Sequence, residues 1–220
     1  MTTLEIISDP ICPWCYIGKA KLEKALAQMP DHPFEITWKP FQLNPDMPAA
    51  GMDRREYLEQ KFGGQKGAIK VYSQIAQTAE AAGLDIDFAK MLRTPNTIDA
   101  HRLIHWARLD GKQNTVVDEL FNRFFKEGQD ISDHSVLIEA AKAAGMDSEM
   151  VIRLLATDAD IAETRDADQK ARAMGITGVP TFLIDGQYVV SGAQETTFWL
   201  NLIEEISEMQ RKTTDESQTN

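Results

Sequence analysis

The chain has 220 residues, of which 43% are hydrophobic and 26% charged, enough for a sizeable core in one large or two small domains. Its net charge of -11 argues against nucleic acids and anionic membranes as partners, because phosphate groups are bound by clustered Lys and Arg. No stretch approaches 18 apolar residues, and the first residues lack the pattern of a secretory signal, so we predict a cytoplasmic protein that does not span a membrane.

The first forty residues predict a strand, a helix and a second strand. Residues 3–8 are typical of a buried strand, and residues 17–29 carry apolar side chains at helical spacing up to Pro30. Residues 34–38 alternate apolar and polar side chains before Pro40. This order predicts a βαβ unit with parallel strands, and open α/β sheets place their chemistry at the carboxyl ends of such strands.

Both cysteines of the chain, Cys12 and Cys15, lie between the first predicted strand and the first predicted helix. Unpaired N–H groups at a helix start favour the thiolate form of a cysteine, which is the form that attacks disulfides. Pro13 suits the first helical turn, and Cys15 lies one turn after Cys12 on the same face. The pair can therefore close a disulfide and exchange it with a dithiol.

Three other interpretations of the cysteine pair carry less weight. A structural disulfide across so short a loop removes little unfolded-state entropy. A zinc site could combine the pair with His101 and His105, but compact zinc sites keep their ligand pairs within about 20 residues of each other in sequence. Two inert buried cysteines in this spacing at a strand-to-helix junction are improbable. We therefore predict no metal site.

The middle of the chain predicts helices only. After a loop at residues 44–51, apolar residues recur at helical spacing, with N-cap signals at Asp133 and at Asp147 or Ser148. In residues 96–106, Asn96 can be an N-cap, which leaves His101 and His105 as core or boundary histidines. Alternatively, this helix covers a pocket beside Cys12, with Asn96, His101 or Arg102 near the thiolate or the substrate. We expect one of these two arrangements for Asn96, His101 and Arg102.

Strand patterning returns near the end of the chain. Residues 181–184 and 188–190 read as a hairpin with a two-residue turn at Asp185-Gly186, and residues 198–206 form an amphipathic helix. Residues 212–220 are polar and predict a disordered tail. The complete order predicts an α/β fold in which a helical domain is inserted into a small α/β domain.

Two further motifs specify this fold more closely. Cys12-Pro13-Trp14-Cys15, together with Gly178-Val179-Pro180-Thr181, resembles the thioredoxin superfamily, and the helical insertion resembles its DsbA-like branch. The longer runs at residues 8–18, 95–103 and 175–182 are similar to the FrnE-type oxidoreductases. The resemblance implies a thioredoxin-like domain of residues 1–43 and 172–211, an inserted all-helical domain of residues 44–171 and a disordered tail of residues 212–220.

The resemblance also implies roles for individual residues. Cys12 would be the nucleophile, Cys15 the resolving thiol, and Pro13 and Trp14 would tune the redox potential. The alternative for Trp14 is plain packing. Pro180 would follow a cis peptide bond and let the Val179 backbone pair with substrate, and the alternative is an ordinary proline at the start of a strand.

The resemblance implies a thiol-disulfide oxidoreductase, a reductase or isomerase of protein or small-thiol disulfides. It implies that no cofactor is tightly bound and that glutathione is a candidate thiol co-substrate. It also implies an unidentified reducing partner and a protein that is a monomer or a homodimer. A rival is the branch of the 2-hydroxychromene-2-carboxylate isomerases and kappa-class glutathione transferases, which resembles this architecture. Those proteins have serine where this chain has Cys12, and a Ser-Asp pair where this chain has Ala193-Gln194. Both differences argue against their glutathione chemistry here. A chaperone-like module for unfolded chains is the non-enzymatic alternative.

Overall fold

The computed structural model describes the backbone of residues 1–218 and the side chains of residues 1–212. Within these residues the strands are β1 (Thr2–Ser8), β2 (Phe34–Pro40), β3 (Met52–Asp53), β4 (Arg93–Thr94), β5 (Thr181–Ile184) and β6 (Tyr188–Ser191). The helices are α1 (Pro13–Gln28), α2 (Arg54–Phe62), α3 (Gln65–Ala81), α4 (Ile98–Ala107), α5 (Gln113–Phe125), α6 (His134–Ala143), α7 (Ser148–Leu155), α8 (Ile161–Ala173) and α9 (Thr196–Gln218).

A four-stranded sheet in the order β2-β1-β5-β6 organises the fold. β1 and β2 run parallel and are joined by α1, which confirms the predicted βαβ unit. β5 runs antiparallel to β1, and β6 antiparallel to β5, which confirms the predicted hairpin. Ile184 is the register partner of Tyr188, so the turn has three residues rather than the predicted two, with positive φ at Asp185 and Gly186.

The two faces of β1 enter different parts of the core because side chains alternate along a strand. Leu4 and Ile6 face the large cluster that also contains Trp199 of α9, and Phe182 of β5 meets the Trp199 ring edge-on at 4.7 Å. Ile7 faces the opposite side, where a smaller cluster includes Ala171 of α8. The sheet is therefore covered by helices on both faces.

The segment between β2 and β5 differs from its prediction in one respect. β3 and β4 pair as a two-stranded sheet, whereas the sequence predicted helices only, because strands of two residues are too short to show a period. The helix caps agree with prediction, since Asp133 accepts from the Ser135 amide and Asp147 from the Met150 amide. The predicted domain boundary at 171/172 falls inside α8, and the boundaries stay a prediction.

The end of the chain also differs from expectation. α9 continues to Gln218, so residues 212–218 of the predicted disordered tail have helical backbone, and residues 219–220 lie outside the described part. No Gly or Pro occurs after residue 193 to end the helix. No helix in the described part of the chain has the length and apolar character needed to cross a bilayer.

Candidate active site

The cysteine motif lies where β1 passes into α1. The chain turns at Asp9, whose carbonyl accepts a hydrogen bond from the Cys12 amide (2.9 Å). Cys12 is the N-cap of α1 with extended backbone (φ -85°, ψ 114°), and Pro13 occupies the first helical position, where its missing N–H costs nothing. Cys12 therefore lies at the helix start, as the sequence predicted.

Both thiols are free and buried. The Cys12 Sγ lies 3.6 Å from the Val179 carbonyl oxygen, to which it donates. The Cys15 thiol has the Cys12 sulfur, the Ser8 side chain and the Asp9 backbone as neighbours. Burial raises the pKa of the Cys15 thiol well above its ordinary value, and the neighbouring Cys12 sulfur raises it further. Cys15 therefore holds its proton more tightly than a solvent-exposed thiol would.

The segment before β5 completes the site. The Val179–Pro180 peptide bond is cis, as the resemblance implied, and the Pro180 carbonyl accepts from the Gly192 amide (2.8 Å). Gly18 of α1 packs directly on this segment, since a Cβ on Gly18 would lie 3.0 Å from the Pro180 Cγ. The absence of a side chain at Gly18 therefore allows α1 to approach Pro180.

Two aromatic residues of the motif region are held by neighbouring helices. Trp14 is half-buried and packs beside Ile75 and Ala79 of α3, so packing accounts for much of its ring. Tyr16 stacks on Phe121 and Phe125 of α5 with ring centroids 5.0 and 5.3 Å apart. These contacts fix the first turn of α1 between α3 and α5.

Asp9 and His101 form a buried pair behind the cysteines. The Asp9 carboxylate accepts from the amides of Ile11 (3.3 Å) and Leu43 (2.7 Å), and its Oδ1 lies 3.8 Å from the His101 Nε2. Burial raises the pKa of Asp9 to about 7 and lowers the pKa of His101 to about 4. Between these values both groups are neutral, so they face each other without forming an ion pair.

The other two residues of the predicted pocket have structural contacts. The N-cap of α4 is Thr97 and not Asn96, although Asn96 Oδ1 accepts from the Ile98 amide (2.9 Å) and Asn96 Nδ2 donates to the Met47 carbonyl (2.6 Å). Arg102 points toward the loop between α7 and α8. Of the three predicted pocket residues, the structure brings His101 near the motif, on its buried side.

In the described part of the chain, no three His, Cys, Asp or Glu side chains converge as metal ligands would. His101 is buried, whereas His105, four residues on, is exposed. The two histidines that could have completed a zinc site with the cysteines therefore lie in different surroundings.

The sheet order and the helices between β2 and β5 define a class, the thioredoxin-like α/β fold with a helical insertion. The DSBA-like thioredoxin domain family matches residues 3–204, and the chain belongs to this family. The uncharacterized protein YwbO of Bacillus subtilis is 30% identical over 191 residues, which are 86% of this chain and 90% of that protein.

Solved structures show the same architecture. The probable DsbA oxidoreductase SCO1869 of Streptomyces coelicolor has a TM-score of 0.82 at 32% identity, covering 93% of this chain and 89% of that one. The cytosolic disulfide reductase DsbM of Pseudomonas aeruginosa shares the fold with a TM-score of 0.68 at 19% identity, covering 94% and 99% of the two chains. DsbM has also been solved with GSH.

The sequence alone predicted no role for Asp9 and Gly18, which the structure places at the site, or for Arg54, which lines a separate cavity. Asp9 stands within the run of residues 8–18, and an acidic residue three positions before a buried cysteine was the available signal. Gly18 lies inside a helix, where glycine lowers helix stability, so its presence there signals close approach of another segment. Arg54 carried no signal, because its burial depends on α3 and α5.

Proposed function

We propose that this protein is a thiol-disulfide oxidoreductase in which Cys12 is the nucleophile and Cys15 the resolving thiol. The observation that carries the proposal is the Cys12 sulfur at the start of α1, 3.6 Å from the carbonyl of Val179 beside cis-Pro180. An extended substrate segment that pairs with the Val179 backbone would bring its disulfide to this sulfur. The family membership and the DsbM likeness support the same activity.

The reaction requires two exchanges. The Cys12 thiolate attacks one substrate sulfur, the substrate S–S bond breaks, and the departing thiolate takes up a proton. Cys15 then loses its proton and attacks the Cys12 sulfur, which releases the second substrate thiol and leaves a Cys12–Cys15 disulfide. An external dithiol or two monothiols, glutathione among them, reduce this disulfide and are themselves oxidised.

The environment of Cys15 suits the second step. Burial and the adjacent Cys12 sulfur both raise the pKa of Cys15. In the mixed disulfide the Cys12 sulfur is bonded to the substrate sulfur and carries no charge. It therefore no longer raises the pKa of Cys15. Cys15 therefore ionises more readily in the mixed disulfide than in the free dithiol, which is when its attack is needed.

We place this activity in the cytoplasm, where a reducing thiol pool would hold the pair as a dithiol and favour reductase or isomerase work. The substrates in this proposal are disulfide-containing proteins or small disulfides, with a reducing partner still to be identified and a monomer or homodimer as the working form. We further propose that the protein is an oxidoreductase of the FrnE type.

Dithiothreitol-driven insulin reduction tests the proposal. We expect the wild-type protein to accelerate precipitation of the insulin B chain and Cys12→Ser to lose this effect. Cys15→Ser is the matched variant, because it keeps the nucleophile and should accumulate a mixed disulfide detectable by mass spectrometry. Equal activity of wild type and Cys12→Ser would reject the oxidoreductase, and suppression of client aggregation by both proteins would favour the chaperone-like alternative.

A further inference from the structure

A cavity of about 410 Å³ lies between α2, α3 and the segment that leads into β4. Its volume is within the range of about 300 to 1,000 Å³ that small-molecule sites occupy. Much of its wall is apolar, formed by Leu58, Ala68, Ile69, Phe88, Met91 and Leu92. Arg54 and Tyr72 supply a guanidinium and a phenol to the same wall. We call this cavity the Arg54 pocket.

Arg54 is a buried cation that has no counterion among residues 1–212. Its side chain lies over the rings of Tyr72 and Phe124, at 5.2 and 5.7 Å from their centroids, and the residue is 6% exposed. Its hydrogen bond within the described part of the chain joins Nη2 to the Tyr72 hydroxyl (2.9 Å). No carboxylate of residues 1–212 lies within 4.0 Å of its guanidinium. A desolvated cation in this state gains strongly from an anion.

Arg102 shows how this chain satisfies a guanidinium that has only a structural role. It is also buried, and it donates to the Asp99 carboxylate (2.7 Å) and to the carbonyls of Leu154, Thr157 and Ala159 (2.8, 2.7 and 2.6 Å). Arg54 has none of these partners and instead lines an open cavity. The contrast within one chain indicates that Arg54 is available to a ligand.

The acidic groups at the rim of the pocket are already engaged. Asp53 caps α2 by accepting from the Glu56 amide (3.0 Å), and Glu59 accepts from the Arg55 Nε (2.8 Å). The planar guanidinium of Arg54 matches the geometry of a carboxylate, which it can bind through two parallel hydrogen bonds. A carboxylate is therefore the group that this pocket fits best, with an apolar body against its walls.

The pocket is connected to the thiol pair through Tyr72. Its hydroxyl bonds to Arg54, and its ring meets Phe88 edge-on at 5.1 Å. Tyr72 packs in the α1–α3 cluster in which Trp14, between the two cysteines, also packs. Through these contacts Tyr72 links the Arg54 pocket to the residues that pack around the cysteine motif.

We propose that the Arg54 pocket binds the carboxylate of a small disulfide or thiol whose sulfur reaches Cys12. This substrate class rests on the proposed oxidoreductase function. Arg54 would pair with the carboxylate, Tyr72 would hold the guanidinium in place, and the apolar wall would contact the carbon chain. The pocket would thereby select carboxylated small disulfides over neutral disulfides of the same size.

Direct binding to Cys12→Ser protein tests the pocket without turnover. The probes are dithiodipropionic acid and its diamide, which differ in charge and little in size, and the measurement is isothermal titration calorimetry. We expect the diacid to bind at least about tenfold more tightly than the diamide, because a hydrogen bond to a charged group contributes that much. Equal affinities for the two probes would overturn the proposal, whatever the variants show.

Two variants in the same background assign the effect to Arg54. Arg54→Gln should abolish the preference for the diacid, whereas Arg55→Gln, at the same rim but paired with Glu59, should retain it. Tyr72→Phe keeps the guanidinium but removes its hydrogen-bond partner, so the preference for the diacid should be smaller than with Tyr72. If circular dichroism shows Arg54→Gln to be unfolded, an undiminished preference in Tyr72→Phe would contradict the proposal. A full preference in folded Arg54→Gln would contradict the proposal.

Turnover by the wild-type protein separates this inference from the proposed function. If Cys12→Ser prefers the diacid but the wild type reduces neither probe, the pocket stands and the oxidoreductase function fails. If the wild type reduces both probes with the same kcat/KM and Cys12→Ser binds them equally, the function stands and the pocket proposal fails.

Discussion

At the scale of single residues, the site depends on how closely α1 approaches Pro180. Gly18 leaves room for the proline ring, and the Pro180 carbonyl accepts a hydrogen bond from the Gly192 amide. A methyl group at this position would overlap the Pro180 Cγ and approach the Ala193 Cα. The glycine is therefore a requirement of packing at the site, although a helix alone would favour alanine there.

We predict that Gly18→Ala lowers the free energy of unfolding by about 1 to 3 kcal/mol, the usual cost of overpacking, despite the gain in helix propensity. Urea unfolding measures this change. Insulin reduction should fall as well, because Pro180 and Val179 must move relative to Cys12. Gly178→Ala is the control, since a Cβ there meets nothing within 4 Å. Equal stability of both variants would contradict the packing argument.

The Asp9–His101 pair has opposing effects on stability as the pH changes. The pKa of Asp9 is about 7 in the folded protein and lower in the unfolded chain, so the folded state holds an extra proton and loses stability as the pH rises from about 4 to 7. The pKa of His101 is about 4 when folded and higher when unfolded, so its contribution is lost as the pH falls from about 6.5 to 4.

We predict that single variants expose each slope. With Asp9→Asn, stability should rise with pH between about 4 and 6.5 relative to wild type, by up to about 1.4 kcal/mol per pH unit. With His101→Gln, it should fall over the same range by a similar amount. Urea unfolding at several pH values measures both changes. Asp110→Asn, at an exposed position, is the control and should follow the wild-type curve.

The double variant is the internal check on this pair. If Asp9 and His101 titrate as described, their opposing contributions cancel in the wild type and are both absent from the double variant. The stability of the double variant should therefore change with pH in parallel with that of the wild type between about 4 and 6.5. Parallel stability curves for the wild type and both single variants would show that neither group has the assigned pKa in the folded protein.

At the scale of elements, Arg102 connects α4 to the loop between α7 and α8. Its guanidinium bonds to Asp99, to the Leu154 carbonyl of α7 and to two carbonyls of that loop, and it lies 4.9 Å from the centroid of the Trp106 ring. Helix ends leave carbonyls without intrahelical partners, and Arg102 satisfies those at the end of α7. Its contacts explain its burial without any role in substrate binding.

We predict that Arg102→Met destabilises the protein by about 3 to 5 kcal/mol, because it leaves buried carbonyls and Asp99 without their donor. The KM for disulfide substrates should not change in protein that remains folded. Arg108→Met, at the exposed end of the same helix, should change stability by less than about 0.5 kcal/mol. A raised KM with normal stability for Arg102→Met would instead place this residue in the substrate pocket.

At the scale of the whole molecule, a single cluster joins the sheet to the inserted helices. It contains Leu4 and Ile6 of β1 together with Leu120, Phe121 and Phe124 of α5 and further residues of α4, α6 and α9. α4 and α5 also pack on β2. Because the two predicted domains share this core, the loss of one would expose apolar surface of the other.

We predict that the protein unfolds in one cooperative transition. Tryptophan fluorescence and far-UV circular dichroism should give the same urea midpoint, as expected when no intermediate is populated. The probes are well placed, since Trp106 is buried in α4 and Trp199 in α9. Two separated transitions would show that residues 44–171 form an independently stable domain.

The sequence itself determined the features that depend on neighbours along the chain. The βαβ unit, the helix start at Cys12 and the hairpin all follow from local periods, caps and turn residues, and the structure contains each of them. The pairing of Cys12 with the Val179–Pro180 segment came from a resemblance, because no local signal joins residues so far apart in the sequence.

The tertiary structure alone decided which side chains surround the thiol pair. Burial of Asp9 against His101 and the approach of Gly18 to Pro180 both depend on contacts between distant segments, as does the burial of Arg54 beside Tyr72. Arg102 donates to the Asp99 carboxylate and to carbonyls at the end of α7 and in the following loop, whereas Arg54 lines a cavity. Such differences arise from packing, which fixes desolvation and hydrogen-bond partners only after the chain has folded.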